Sequence, residues 1–159
     1  MNTPSLLDAI RVVKENERFA SASYWDAARK IQHPAGRTVF EELSRFEEYH
    51  YQHLTALEKA LEADGSFIKY EGRELQLPPL MDVPAVKNAN HKDSITIIAQ
   101  AIELEENAKK AYTDIAEKID DPRGKQMFKR LAEEEYKHYL FLIEAYWSVS
   151  YLGEWRWIS

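Results

Sequence analysis

Apolar residues recur along this chain at alternating steps of three and four, in four separate stretches. The first runs roughly from Ser5 to Ile31 and places Leu6, Ile10, Val13, Ala20, Tyr24, Ala27 and Ile31 on one stripe. The second, from Pro34 to Ala63, carries Phe40, Leu43, Leu54, Leu57 and Leu61. The third, from Ser94 to Ile119, carries Ile95, Ile98, Ile102, Ala108, Tyr112, Ile115 and Ile119, and the fourth, opening at Pro122, carries Phe128, Leu131, Leu142, Ala145 and Val149. Such spacing buries one face of an α-helix, so the pattern predicts four long helices and an all-α fold.

The punctuation agrees. Thr3-Pro4 and Asp121-Pro122 read as cap and first-turn pairs, Asp93 or Ser94 as the cap of the third helix, and Gly65 and Gly153 as stops. Gly65 to Lys92, with Pro78, Pro79 and Pro84, forms the one long connection. A connection of that length inside a compact domain is uncommon and calls for a reason. Beyond the fourth stripe lie Trp147, Tyr151, Trp155 and Trp157, an aromatic tail that could cap the bundle or bury against a second subunit.

The two halves repeat. Aligned without gaps at a shift of 88, residues 15–54 and 103–142 are identical at 16 of 40 positions, where average usage gives about 2–4. Helical hairpins at 5–63 and 94–149, with a crossover at 64–93 and a tail at 150–159, therefore make one domain over 1–159. Packed as a pseudo-two-fold pair, they require the crossover to travel the length of the bundle, roughly 40 Å at 1.5 Å per residue. The fold expected is a four-helix bundle with one long crossover.

The stripes have polar gaps at matching places: Glu17, Glu47, His50, Glu105, Glu135 and His138. Carboxylates at core positions lose their hydration and need compensation. In Glu-x-x-His, residues i and i+3 share a helix face, so Glu47 with His50, and Glu135 with His138, converge on one point. Glu17 and Glu105 add one carboxylate from each remaining helix. Four Glu and two His suit Fe(II), Mn(II) or, less selectively, Zn(II). Two ions about 3.5–4 Å apart could be bridged by two of the carboxylates. The competing reading is a buried Glu/His hydrogen-bond network without metal. It needs water or basic partners at mid-core, and no Lys or Arg falls at a neighbouring stripe position.

Composition narrows the chemistry. The chain contains no cysteine, which removes disulfides, thiolate nucleophiles and iron–sulfur clusters. A formal charge of −6 argues against nucleic acid and anionic lipid as partners. Two divalent ions would cancel four of the acidic charges. No apolar run approaches the ~20 residues of a membrane span, and Met1 to Phe19 shows no apolar signal-peptide core. Cytoplasmic location is the default expectation.

At these motifs the sequence resembles the ferritin-like di-iron carboxylate superfamily, in its rubrerythrin-like branch. Glu17-x-x-Ala20-x-x-x-Tyr24 and Glu105-x-x-Ala108-x-x-x-Tyr112 are similar to that branch's first-helix signature. Phe40-x-x-Leu43-x-x-x-Glu47-x-x-His50 and Phe128-x-x-Leu131-x-x-x-Glu135-x-x-His138 are similar to its second and fourth helices. The resemblance implies two iron ions bridged by Glu47 and Glu135, with Glu17 and Glu105 as terminal ligands and one His on each iron. Rubrerythrins proper add a rubredoxin domain with a four-cysteine iron, so here the electron donor would be a separate, rubredoxin-like molecule. They also carry a further carboxylate one turn after the third-helix Glu, where this chain has Ala108. Bacterioferritin has a similar six-ligand site, but its haem-binding Met is here Glu48, so no haem role is expected.

The resemblance implies a di-iron oxidoreductase that reduces peroxide or dioxygen. Two alternatives stay open: Fe(II) oxidation for storage or delivery, and a metal-stapled bundle serving as an interaction module. A homodimer is the expected assembly. Alanine at Glu47 or Glu135 is expected to abolish binding of both ions; alanine at the adjacent Glu48 or Glu134 is not. Helical side chains lean toward the N-terminus, so Tyr24 and Tyr112 could reach back to a ligand carboxylate or relay an electron; the plainer reading is core aromatics with satisfied hydroxyls. His53 has Phe141 as its repeat equivalent and reads as a structural or surface residue. His33 and His91 read as solvated residues at helix boundaries.

Overall fold

The computed structural model describes residues 5–78 and 91–157. The helix α1 spans Leu6–Lys30, α2 spans Pro34–Asp64, α3 spans His91–Lys118 and α4 spans Pro122–Leu152. The helices α1 and α2 pack as one hairpin, and α3 and α4 as the other. The four-helix bundle expected from the stripes is the observed fold. The Thr3-Pro4 pair, together with Pro79 and Pro84 of the crossover, lies outside the described residues.

Local chemistry sets the ends. Ser5 caps α1, its hydroxyl accepting from the Asp8 N–H at 3.1 Å. Asp121 caps α4 by accepting from the N–H groups of Arg123 and Gly124. The helix α3 begins three residues before the expected Ser94, so Asp93 falls in its first turn rather than at its cap. There its charge still complements the helix dipole. His33 is a correction. It is buried rather than solvated, and its Nδ1 accepts from the Ala35 N–H at 3.1 Å as the cap of α2. The side chain of His91 lies outside the described residues. Gly65 and Gly153 end α2 and α4 in the left-handed region, with φ of 77° and 67°.

Two apolar cores fill the bundle. One gathers Tyr24, Ile31, Val39, Phe40, Leu43, Ile98, Leu142 and Val149. The other gathers Ile10, Val13, Leu54, Leu57, Tyr112, Ile119, Phe128 and Leu131. Between them, at mid-helix, sits a polar layer.

The aromatic tail turns back onto the first core. Trp155 and Trp157 are buried there, Trp155 edge-on to Phe40 at 6.4 Å and Trp157 donating its indole N–H to the Pro78 carbonyl at 3.0 Å. Gly36 makes room, since a Cβ on it would stand 2.6 Å from the Trp155 ring. These two residues therefore cap their own bundle end. Trp147 and Tyr151 stack on each other and remain exposed.

The described part of the crossover, residues 65–78, contains no helix or strand. It is nonetheless well anchored. Tyr70 packs into the second core, and Leu75 and Leu77 pack against the first. Between them Arg73 bonds Glu42 of α2 at 2.8 Å, and Glu42 also accepts from the Gln76 N–H. The connection thus runs from one core to the other along the bundle, which gives its length a purpose.

Candidate metal centre

Each candidate side chain arrives from mid-helix: Glu17 from α1, Glu47 and His50 from α2, Glu105 from α3, Glu135 and His138 from α4. All six are buried, none more than 3% exposed. They form two overlapping groups, Glu17, Glu47, His50, Glu135 and Glu47, Glu105, Glu135, His138, in each of which the candidate ligand atoms lie within 4.8 Å of one another. Glu47 and Glu135 belong to both. The Nδ1 of His50 is 3.4 Å from Glu17, 3.4 Å from Glu47 and 3.1 Å from Glu135. The Nδ1 of His138 is 3.3 Å from Glu47, 3.4 Å from Glu105 and 3.5 Å from Glu135.

The donor set fits a pair of cations. Glu17 Oε2, Glu47 Oε1, Glu105 Oε2, both oxygens of Glu135 and the Nδ1 atoms of both histidines are buried without a hydrogen-bond partner. Buried polar atoms are normally paired. Here the orphans belong to one cluster of oxygen and imidazole donors, the composition that first-row divalent ions accept.

Protons are the cluster's own counter-ions where no metal competes. Burial, then the Glu47 charge, raises the Glu17 carboxyl well above its usual range. Burial, then the charges of Glu105 and Glu47, does the same to Glu135. Burial opposes ionisation of Glu47 too, but its Glu17, His138 and His50 neighbours outweigh it and hold that carboxyl well below the usual range. Burial would lower both imidazoles, yet the adjoining carboxylates, Glu17 at His50 and Glu105 at His138, raise them well above theirs. The native cluster therefore holds protons that the unfolded chain gives up.

Raised groups contribute stability below their unfolded values, about 4.3 for Glu and about 6.5 for His, and lose it as pH climbs through the native values. Glu47, lowered, contributes no slope above about 4.3 because it is ionised in both states. The metal-free protein is therefore expected to lose stability above about pH 4.3 through Glu17 and Glu135, and more steeply above about 6.5 once the histidines join, and the protein loaded with divalent ions to lose much less. Urea melts across pH 6–9 measure this; equal slopes for both forms would contradict it.

The two tyrosines cross between hairpins. Tyr24 donates its hydroxyl to Glu105 at 2.7 Å, and Tyr112 donates to Glu17. Both are fully buried, and burial first, then the carboxylate each one bonds, pushes the hydroxyls well above their ordinary range. They stay protonated at neutral pH and orient one oxygen of each carboxylate. His53 is partly buried and lies with its ring 5.0 Å from that of Tyr70, away from the cluster.

Sequence reasoning missed the layer behind His50. Glu134 is 1% exposed, and its Oε1 lies 3.0 Å from the His50 Nε2. It also accepts from the Tyr70 hydroxyl and from the Arg73 N–H, the latter at 3.1 Å. Glu134 thus faces the bundle interior rather than solvent. One signal was available: its equivalent in the repeat is Phe46, an apolar-to-acid exchange beside the Glu-x-x-His motif. Tyr70 and Arg73 lie in an aperiodic stretch and gave none.

The opposite side of the cluster is open. A cavity of about 350 Å³ between α1 and α3 reaches Glu17, Glu47, Glu105 and Glu135. Val13, Ala20, Leu104, Ala108 and Ala111 line its walls, with Asn16, Phe19 and Asn107 at exposed positions along it.

Four helices in two hairpins around a buried Glu/His layer make this a ferritin-like bundle. The family model described as Rubrerythrin matches residues 96–151, most of the second hairpin, and that stretch is similar to the family. No curated protein and no solved structure matches. Among the described residues, no helix is long and apolar enough to cross a membrane.

Proposed function

We propose that the protein is a di-iron oxidoreductase that reduces peroxide or dioxygen with electrons from a separate donor. The observation that carries this reading is the pair of buried four-residue groups sharing Glu47 and Glu135, opening onto a cavity. Two irons, if bound there, would supply a two-electron couple. Glu17, Glu47, His50 and Glu135 would hold one ion, and Glu47, Glu105, Glu135 and His138 the other.

The chain's own residues do the rest. The apolar cores on either side exclude bulk water and strengthen the electrostatics of the layer. The α1/α3 cavity admits a small solute to the carboxylate side of the cluster. The Tyr24 and Tyr112 hydroxyls keep their protons and fix Glu105 and Glu17. Reduction of H2O2 to two waters consumes two electrons and two protons. These 159 residues hold no cysteine for an iron–sulfur or rubredoxin-type centre, so in this reading the electrons enter from outside the bundle.

Anaerobic reconstitution with Fe(II), followed by separate addition of O2 and H2O2, tests the proposal. Two irons per chain and a ferric charge-transfer band are expected, with repeated turnover once a reductant is supplied. Fewer than two irons and no band would refute the metal site. A single stoichiometric oxidation with no turnover would favour iron handling instead.

A further inference from the structure

The six candidate ligands come as three pairs 88 residues apart, but the residues behind them do not match. Behind His50 stands Glu134, and the equivalent position behind His138 is Phe46. The His50 Nε2 meets the Glu134 carboxylate at 3.0 Å. The His138 Nε2 is buried and has no hydrogen-bond partner among the described residues, while the Phe46 ring stands edge-on to the imidazole at 4.2 Å.

Glu134 is itself held. The Tyr70 hydroxyl donates to the oxygen facing His50, and the Arg73 N–H donates to the other oxygen at 3.1 Å. Arg130 pairs with that second oxygen at 3.3 Å. The Arg73 guanidinium lies 4.9 Å from the Phe46 ring and bonds Glu42, tying the crossover to α2. Phe46 stands edge-on to both imidazoles, 4.2 Å from His138 and 5.1 Å from His50, so the anchored anion behind His50 is what distinguishes them.

We propose that this asymmetry makes the two metal positions unequal: Glu134 is a positioning residue that makes the His50 position the tighter, first-filled one and leaves the His138 position the weaker, exchangeable one. This rests on the metal-centre reading above. A carboxylate accepting the Nε2 proton fixes the tautomer that presents the Nδ1 lone pair to the cluster and makes the imidazole a stronger donor. At His138 no described residue fixes the tautomer, and an Nε2–H there is buried without an acceptor among them. The crossover becomes part of the site, because Tyr70 and Arg73 hold the anion that holds the ligand.

The test is an anaerobic titration of the full chain with Co(II), read by visible absorption, which reports each ion as it enters a nitrogen- and oxygen-donor site. The wild type should bind two ions in two steps at least about tenfold apart. Glu134→Leu should weaken the first step by about 10–100-fold and leave the second within about twofold. Glu134→Gln, which keeps shape and a hydrogen-bond acceptor, should fall between. His138→Ala should retain the tight ion and His50→Ala lose it. A purely structural role for Glu134 would weaken both steps together.

Two equal steps in the wild type, or an unchanged first step in Glu134→Gln and Glu134→Leu, would overturn the proposal. If Glu134→Leu does not fold by circular dichroism, the Glu134→Gln isotherm decides. No ion bound by the wild type would instead refute the metal centre itself, and the inequality with it.

Discussion

Truncating Glu47 or Glu135 to alanine is expected to take metal binding from two ions per chain to none. These two carboxylates belong to both ligand groups, so either substitution strips a donor from each position at once. No other described carboxylate or imidazole belongs to either ligand group, so neither loss is made good by a neighbour. The loss should exceed the about 10–100-fold that follows removal of a partner behind a ligand. Glu17→Ala and Glu105→Ala, each touching one group, should cost one ion. Glu48→Ala is the neutral control, because Glu48 is half-buried and engages Gln52 on the outside of α2. Metal content after reconstitution and desalting gives the answer; two ions retained by Glu47→Ala or Glu135→Ala would remove the shared-carboxylate arrangement.

Replacing Trp155 by alanine is expected to destabilise the fold by about 3–5 kcal/mol, the usual cost of deleting a buried large aromatic. At this chain length that corresponds to a fall in Tm of roughly 10 °C. Trp155 is 5% exposed, lies edge-on to Phe40 and fills the space that Gly36 leaves on the first turn of α2. Its removal opens a cavity at the bundle end and loosens the tail that brings Trp157 to the Pro78 carbonyl. Trp147→Ala, at a position 52% exposed, should stay within about 0.5 kcal/mol. Thermal melts of the two variants distinguish them. A Trp155→Ala loss below 1 kcal/mol would mean that the tail does not dock as described.

The metal-binding and stability experiments report on different parts of the molecule. The Glu/His layer lies between two apolar cores, whereas Trp155 packs at the end of one of them. The layer itself is costly without compensation, because four carboxylates are buried together and have lost most of their hydration. Protons on Glu17, Glu135 and the two histidines partly offset that cost, which is why the metal-free form is expected to weaken as pH rises. Divalent ions would replace those protons, so metal binding should release protons and strengthen with pH.

The repeating stripes alone determined the four helices, their pairing into hairpins and the six polar residues that interrupt the apolar face. Those are properties of helical period and of residues 3 or 4 apart, which any sequence displays locally. Helix ends were nearly as legible, because Gly65, Gly153 and Asp121 act through their own backbone and nearest neighbours. The start of α3 and the cap of α1 were read a few residues off, since several polar residues there could each serve as a cap.

Tertiary structure alone decided what surrounds the site. Tyr24 and Tyr112 bond the glutamate of the opposite hairpin, a contact that exists only once the hairpins meet. Glu134 sits beside a ligand glutamate in sequence, yet its partners His50, Tyr70 and Arg73 are 84, 64 and 61 residues away. The crossover has no period to read, so its role as the cover over His50 follows only from packing. Local periodicity fixes which face of a helix is buried, but which neighbour completes that face depends on contacts between residues distant in sequence. That is why the ligands were visible in the chain and the difference between the two halves of the site was not.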